Sequence, residues 1–131
     1  MEEIEELVNK IAESSLLQTG FKQEKNSVYL RGFILYKPSL IENGKKIVFS
    51  VCNIHKTQKG YSLLEFKCFS QAKSVMNFLQ TLNNKVAYVS VYGGLVNVGG
   101  DSMPRITQIK GYRKTDLNLC EKGKKQNETK I

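Results

Sequence analysis

Few residues in this sequence have the types and spacing that chemistry demands. Cys52 and His55, the sole histidine, make a Cys-x-x-His pair, which is half of a tetrahedral zinc set. No second pair stands nearby to complete it, so no metal is expected. Between residues 21 and 113 only Glu24, Glu42, Glu65 and Asp101 are acidic. Glu42 and Asp101 fall in separate polar loops and Glu65 in an apolar run. That leaves no carboxylate cluster of the kind metal-assisted hydrolysis needs. No GxxxxGK[ST] phosphate cradle, no GxSxG and no HExxH occurs. Gly93-Gly94 and Gly99-Gly100 read as turn residues. The expectation is a chain that binds a partner, with no catalytic residue and no cofactor.

Cations and rings remain, and their distribution is uneven. Residues 21–113 hold fourteen Lys and Arg against those four acids. Residues 1–20 hold five Glu against Lys10, and residues 114–131 hold five Lys against three acids. A basic middle on a small domain is the electrostatic footprint of a polyanion. The plainer reading is a surface that is merely basic. Six Tyr and six Phe, with no Trp, supply the rings. A groove of cations with rings for bases to stack on is how single strands are held.

The elements that must position these groups follow from periodicity. Ile4, Leu7, Val8 and Ile11 recur at helical spacing, with Glu on the other face and Gly20 as a stop, so residues 1–20 predict an amphipathic helix. Its stripe can pack on its own domain or on a second copy of the chain. From Asn26 the period changes to two. Val28 to Phe33, Ile47 to Cys52 and Leu63 to Phe69 predict three strands, separated by a loop from Pro38 to Gly44 and a hairpin at Lys56–Gly60. In the third strand Leu64, Phe66 and Cys68 are expected inside, with Leu63, Lys67 and Phe69 outside. Ala72, Val75, Met76, Leu79 and Leu82 predict a helix over 71–82. A strand from Lys85 to Tyr92, a loop over 97–104 and a strand from Arg105 to Arg113 complete a domain spanning 21–113. Residues 114–131 have little to bury and are expected to be a disordered tail. Five strands with a helix between the third and fourth predict an all-β OB-fold barrel, with the first helix as an addition.

In their order, these stretches resemble the bacterial single-stranded DNA-binding protein family, with its phage and plasmid relatives. The resemblance rests on Asn26-Ser-Val-Tyr-Leu-Arg-Gly32, Phe49-Ser-Val-Cys52, Phe66-Lys-Cys-Phe69 with Ser70-Gln-Ala-Lys73, and Val89-Ser-Val-Tyr-Gly93. It covers about residues 26–113 and implies sequence-tolerant binding of single-stranded DNA by a homo-oligomer in replication, recombination or conjugative transfer. It places Phe69 where the family stacks a base. Tyr61 and Tyr92 are further candidate rings, with Tyr36 and Tyr112 behind them. The candidate phosphate partners are Arg31, Lys37, Lys45, Lys46, Lys56, Lys59, Lys67 and Arg105. Arg31 can alternatively lie at a subunit contact, because the family self-associates through its first strand.

Two departures stand out. The family's third-strand tryptophan position holds Leu63. The acidic, Phe-tipped tail that recruits the family's partners is replaced by a Lys-rich end, Glu128-Thr-Lys-Ile131. These differences point to a divergent protein of a mobile element. An RNA-binding barrel and a protein-interaction barrel are the competing readings. Cys52, Cys68 and Cys120 form no disulfide framework, and the first two are expected to be buried thiols. No apolar run reaches the ~18 residues of a membrane span and no signal-peptide pattern opens the chain, so a cytoplasmic protein is expected.

Overall fold

The structure, a computed structural model, describes residues 2–13 and 26–121. The expected helix stop at Gly20 and most of the expected tail lie outside those residues. Helix α1 spans Glu2–Glu13 and shows the expected two faces. Ile4, Leu7 and Val8 on its apolar face are 54%, 50% and 55% exposed. None of the described helices is long and apolar enough to cross a membrane.

The barrel is built from β1 (Val28–Ile34), β3 (Lys46–Thr57), β4 (Gly60–Ser70), β5 (Lys85–Val98) and β6 (Asp101–Asn118). A short β2 (Ser39–Ile41) pairs with the start of β3. The ladder runs β1-β5-β6-β4-β3, and a β1–β3 pairing closes it. Among these strands all pairings are antiparallel except the β4–β6 contact at Phe69 and Arg105, and a single parallel bridge outside them joins Tyr36 to Cys120. Closure with one parallel contact between the third and last barrel strands is the OB arrangement the sequence predicts. Helix α2 (Lys73–Gln80) lies between β4 and β5.

Three boundaries differ from the sequence expectation, each for a local reason. The loop beginning at Pro38 contains β2, which returns onto β3 through a turn. Glu42, Asn43 and Gly44 have positive φ there, a conformation Asn and Gly tolerate best. The loop expected over 97–104 shrinks to a turn at Gly99 and Gly100, both left-handed at φ 61° and 95°. The Gly100 N–H donates to the Asn97 side chain at 2.9 Å, so β5 and β6 pair out to Val98 and Asp101. Finally, β6 runs past Arg113 to Asn118, and Leu119 is 8% exposed and part of the core. The Cys120 N–H donates to the Leu35 carbonyl and the Lys37 N–H to the Cys120 carbonyl. Residues 114–120 therefore belong to the barrel and not to a tail.

The core gathers the inward residues of the strands. Ile34, Ile47, Phe49, Val51, Cys68, Val89, Val91 and Ile106 meet Val75, Leu79 and Leu82 from α2 and the turn after it. Each fully buried aliphatic side chain contributes about 1.5–3 kcal/mol. Ser70 sits at the seam, where its hydroxyl donates to the Ile106 carbonyl at 2.6 Å and accepts from the Ala72 N–H at 3.1 Å. It thereby ties β4 to β6 and starts α2. Cys52 and Cys68 are buried, and burial pushes the Cys68 thiol up to about 12. A thiol held there stays protonated and inert.

Two glycines allow the strands to cross. A Cβ on Gly32 would meet the Cys52 carbonyl oxygen where β1 crosses β3, and one on Gly93 would meet that of Arg105 where β5 bends. The Gly93 position coincides with a register shift in the β5–β6 ladder. Both neighbours are backbone, which cannot swing aside. Gly93→Ala is therefore expected to lower stability by about 1–3 kcal/mol, the usual cost of overpacking. A control at the exposed Ser62, Ser62→Ala, should change it by less than about 0.5 kcal/mol. Urea unfolding of both variants checks this.

Candidate nucleic-acid interface

Strands β3 and β4 are longer than the barrel needs, and this creates the site. Their inner halves bury Ile47, Phe49, Val51 and Cys68. Their outer halves continue as a hairpin with no layer beneath it among the described residues. Residues directly opposite on an antiparallel pair share a face. The register pairs Val48 with Phe69, Ser50 with Lys67, Cys52 with Glu65, Ile54 with Leu63 and Lys56 with Tyr61. All ten lie on one outer face, because the strand period is two.

That face becomes more open toward the hairpin tip. Ser50 and Cys52 are buried, Ile54 and Leu63 are 47% and 44% exposed, and Tyr61 is 72% exposed. Lys56 and Lys59 flank Tyr61 and are also exposed. Nearer the barrel, Tyr36 and Lys37 arrive from the segment after β1. They line a groove with Val48, Ser50 and Lys67. On its other side β4 forms a second, wider groove of about 510 Å³ with the tip of the β5–β6 hairpin, lined by Lys67, Met103 and Pro104 among others. The face thus offers rings at Tyr36 and Tyr61 and cations at Lys37, Lys56, Lys59 and Lys67, along a track about the length of one strand.

Charges on this face are only lightly committed. Lys37 pairs with Glu121 at 2.8 Å, with both side chains about half exposed. An exposed pair of this kind is worth about 0–1 kcal/mol and is screened by salt, so a phosphate can compete for the lysine. Glu65 accepts the Ser50 hydroxyl. Burial first, then the Glu65 charge, holds the Tyr36 hydroxyl above the ordinary phenol range, so it stays a neutral donor at physiological pH.

Other predicted site residues are placed differently. Phe69 lies on the outer face, opposite Val48, as the alternation predicts. It is nevertheless only 4% exposed, which corrects the expectation of an open stacking ring. The Lys46 ammonium stands 4.3 Å from its ring centroid. That ammonium also lies 3.7 Å from Glu42, so Lys46 covers a ring and faces a carboxylate. Arg105 is exposed and is the β6 partner of Phe69 at the parallel contact, beside the face. Arg31 and Tyr92 are not on this face at all. They project from the outer surface of β1 and β5, where Tyr92 stands opposite Tyr29 and Arg31 opposite Ser90.

Leu63 stands outside, as the alternation predicts, but sequence reasoning passed over Ile54 opposite it and expected Leu64 inside, where it is 48% exposed. Ile54 and Leu64 are apolar residues of the kind that reads as core, and only the hairpin's length beyond the barrel reveals their exposure. It also passed over Tyr29, although the alternation Tyr29-Arg31-Phe33 carried the signal. Among the described residues no group of three or more His, Cys, Asp or Glu is placed to hold a metal ion. The half zinc pair therefore gains no further ligands there.

No protein-family model and no curated protein sequence matches the chain. Solved structures do match it in shape. A Plasmodium falciparum SSB in complex with ssDNA superposes with a TM-score of 0.52 at 10% identity, over 72% of this chain and 100% of that one. A small single-stranded DNA-binding protein from Mycoplasma pneumoniae gives 0.54 at 14% identity, with the same coverage of both chains. The S. cerevisiae mitochondrial single-stranded DNA-binding protein Rim1 gives 0.57 at 15% identity, again over 72% and 100%. The chain therefore has the OB fold of these single-stranded DNA-binding proteins, reached at a sequence distance where shape alone is shared.

Proposed function

We propose that the chain binds single-stranded DNA along the outer face of β3 and β4, without sequence choice and without catalysis. The observation that carries this reading is the interleaving on that face of the exposed ring of Tyr61 with Lys56, Lys59 and Lys67. Unpaired bases have free faces to stack on Tyr61, Tyr36 and the Ile54–Leu63 pair. Each stacked base contributes about 1–3 kcal/mol, and any base has such a face, so the binding tolerates sequence. A duplex hides those faces. The neighbours in shape carry names that refer to single-stranded DNA, which favours DNA over RNA as the polymer. Protection of exposed strands in replication, recombination or transfer is the role that fits such a binder. The reading includes self-association through α1, whose open stripe of Ile4, Leu7 and Val8 has the pattern that helix pairing buries.

Anisotropy with a labelled thymidine oligonucleotide tests the proposal. If four cations meet phosphates, the slope of log affinity on log salt is about −3. Binding is expected to favour the single strand over a duplex of equal length by at least about tenfold, the worth of one stacked base. Equal affinity for duplex, or a flat salt response, would overturn it.

Substitutions separate the face from its foundation. Tyr61→Ala with Lys56→Ala is expected to weaken binding about tenfold or more and to leave the unfolding midpoint in place. Phe69→Ala is expected to cost about 3–5 kcal/mol of stability as a buried ring. A Phe69→Ala variant with native stability and lost binding would restore Phe69 as a stacking platform.

A further inference from the structure

The barrel carries a second surface with the same chemistry, around from the first. The register of β1 on β5 sets Tyr29 opposite Tyr92, Arg31 opposite Ser90 and Phe33 opposite Tyr88. The register of β5 on β6 sets Tyr92 opposite Gln108, Ser90 opposite Lys110 and Tyr88 opposite Arg113. These residues share the outer face of the three strands, and the bulge between Tyr88 and Val89 adds Tyr112 to it. Tyr29, Tyr92 and Tyr112 are 56%, 46% and 42% exposed.

The rings and cations on this face are already organised. Phe33 and Tyr88 lie 4.9 Å apart, and Tyr88 and Tyr112 lie 6.0 Å apart. The Arg31 guanidinium stands 4.8 Å from the Tyr112 ring centroid and donates to the Tyr29 and Tyr112 hydroxyls at 3.1 and 3.3 Å. The Lys110 ammonium stands 5.2 Å from the same ring. Ser90 and Tyr112 pair through their hydroxyls at 3.2 Å. That bond first, and then Arg31, lowers the Tyr112 phenol from its ordinary value. Strands β1 and β5 contain no acidic residue, and β6 has its two, Asp101 and Asp116, near its ends.

Charge decides what fits here. Two copies of the chain meeting face to face would trap Arg31, Lys110 and Arg113 of each in one layer, with no carboxylate of that face among the described residues to offset them. Such like-charge juxtaposition opposes the contact. A strand of nucleic acid brings phosphates to the cations and bases to the rings, so both features are used at once. We propose that the outer face of β1, β5 and β6 is a second platform for single-stranded DNA, on which bases stack at Tyr29, Tyr92 and Tyr112 while Arg31, Lys110 and Arg113 hold phosphates. This rests on the single-strand reading of the β3–β4 face. It adds that a long strand continues around the barrel to a second set of rings.

Photo-crosslinking of the full chain to an iodouracil-substituted oligonucleotide of about 35 nucleotides, with mass spectrometry of the adducts, tests both statements separately, since several bases must span an OB surface. Adducts at Tyr29, Tyr92 or Tyr112, together with Tyr61 or Tyr36, are expected. Adducts confined to Tyr36 and Tyr61 would overturn the second platform and leave the proposed function standing. No adducts and no binding would overturn both. Arg31→Gln keeps a polar side chain on the strand and is expected to weaken binding of the same oligonucleotide several-fold and to reduce the salt slope by about 1, with an unchanged melting curve and unchanged mass in sedimentation. A variant that loses mass while keeping its DNA affinity would show that the face joins copies of the chain, and would also overturn the proposal.

Discussion

The β3–β4 ladder fixes which side chains of the proposed site face outward. Its inner end is locked because Ile47, Phe49, Val51 and Cys68 must all lie inside the barrel. A slip of one residue would turn them outward together, so the register has no near competitor. The same ladder continues without a break into the hairpin. Burial at one end therefore dictates orientation at the other. Tyr61 and Lys56 stand side by side on the outer face because residues on the same two strands are buried nearer the core.

Closure of the barrel depends on a second constraint. Strands can cross at Gly32 and bend at Gly93 only where side chains are missing. The crossing brings β1 against both β3 and β5, which turns one sheet into two outward surfaces. One presents the hairpin rings with loosely paired lysines. The other presents a ladder of tyrosines whose cations have no carboxylate partner on the face among the described residues. On the second surface Arg31, Lys110 and Arg113 all sit on strands, so less freedom would be lost on binding a flexible polymer there.

Much of this fold was legible in the sequence because its signals are local and periodic. The alternation in Val28–Phe33 and Ile47–Cys52 and the apolar stripe Val75-Met76-Leu79-Leu82 each gave the element observed. Boundaries failed where a side chain or a glycine settled the matter. Asn97 and Gly99-Gly100 make a two-residue turn where composition suggested a long loop, and Leu119 anchors a strand end that its polar neighbours disguised. The site was half legible. Alternation put Phe69 on the correct face, but it carries no information on cover, and Lys46 lies above the ring. Likewise the chemistry of Arg31 and Tyr92 suits a binding site, while only strand pairing reveals that they face away from Tyr61.

The most direct test of the proposed single-strand binding on the β3–β4 face is an amide chemical-shift titration of the full chain with a short thymidine oligonucleotide of about eight nucleotides, the scale of one OB surface. The largest changes are predicted at Val48, Ser50, Tyr61, Leu63 and Lys67. Saturable binding that shifts α1 or α2 and leaves those amides in place would contradict the account.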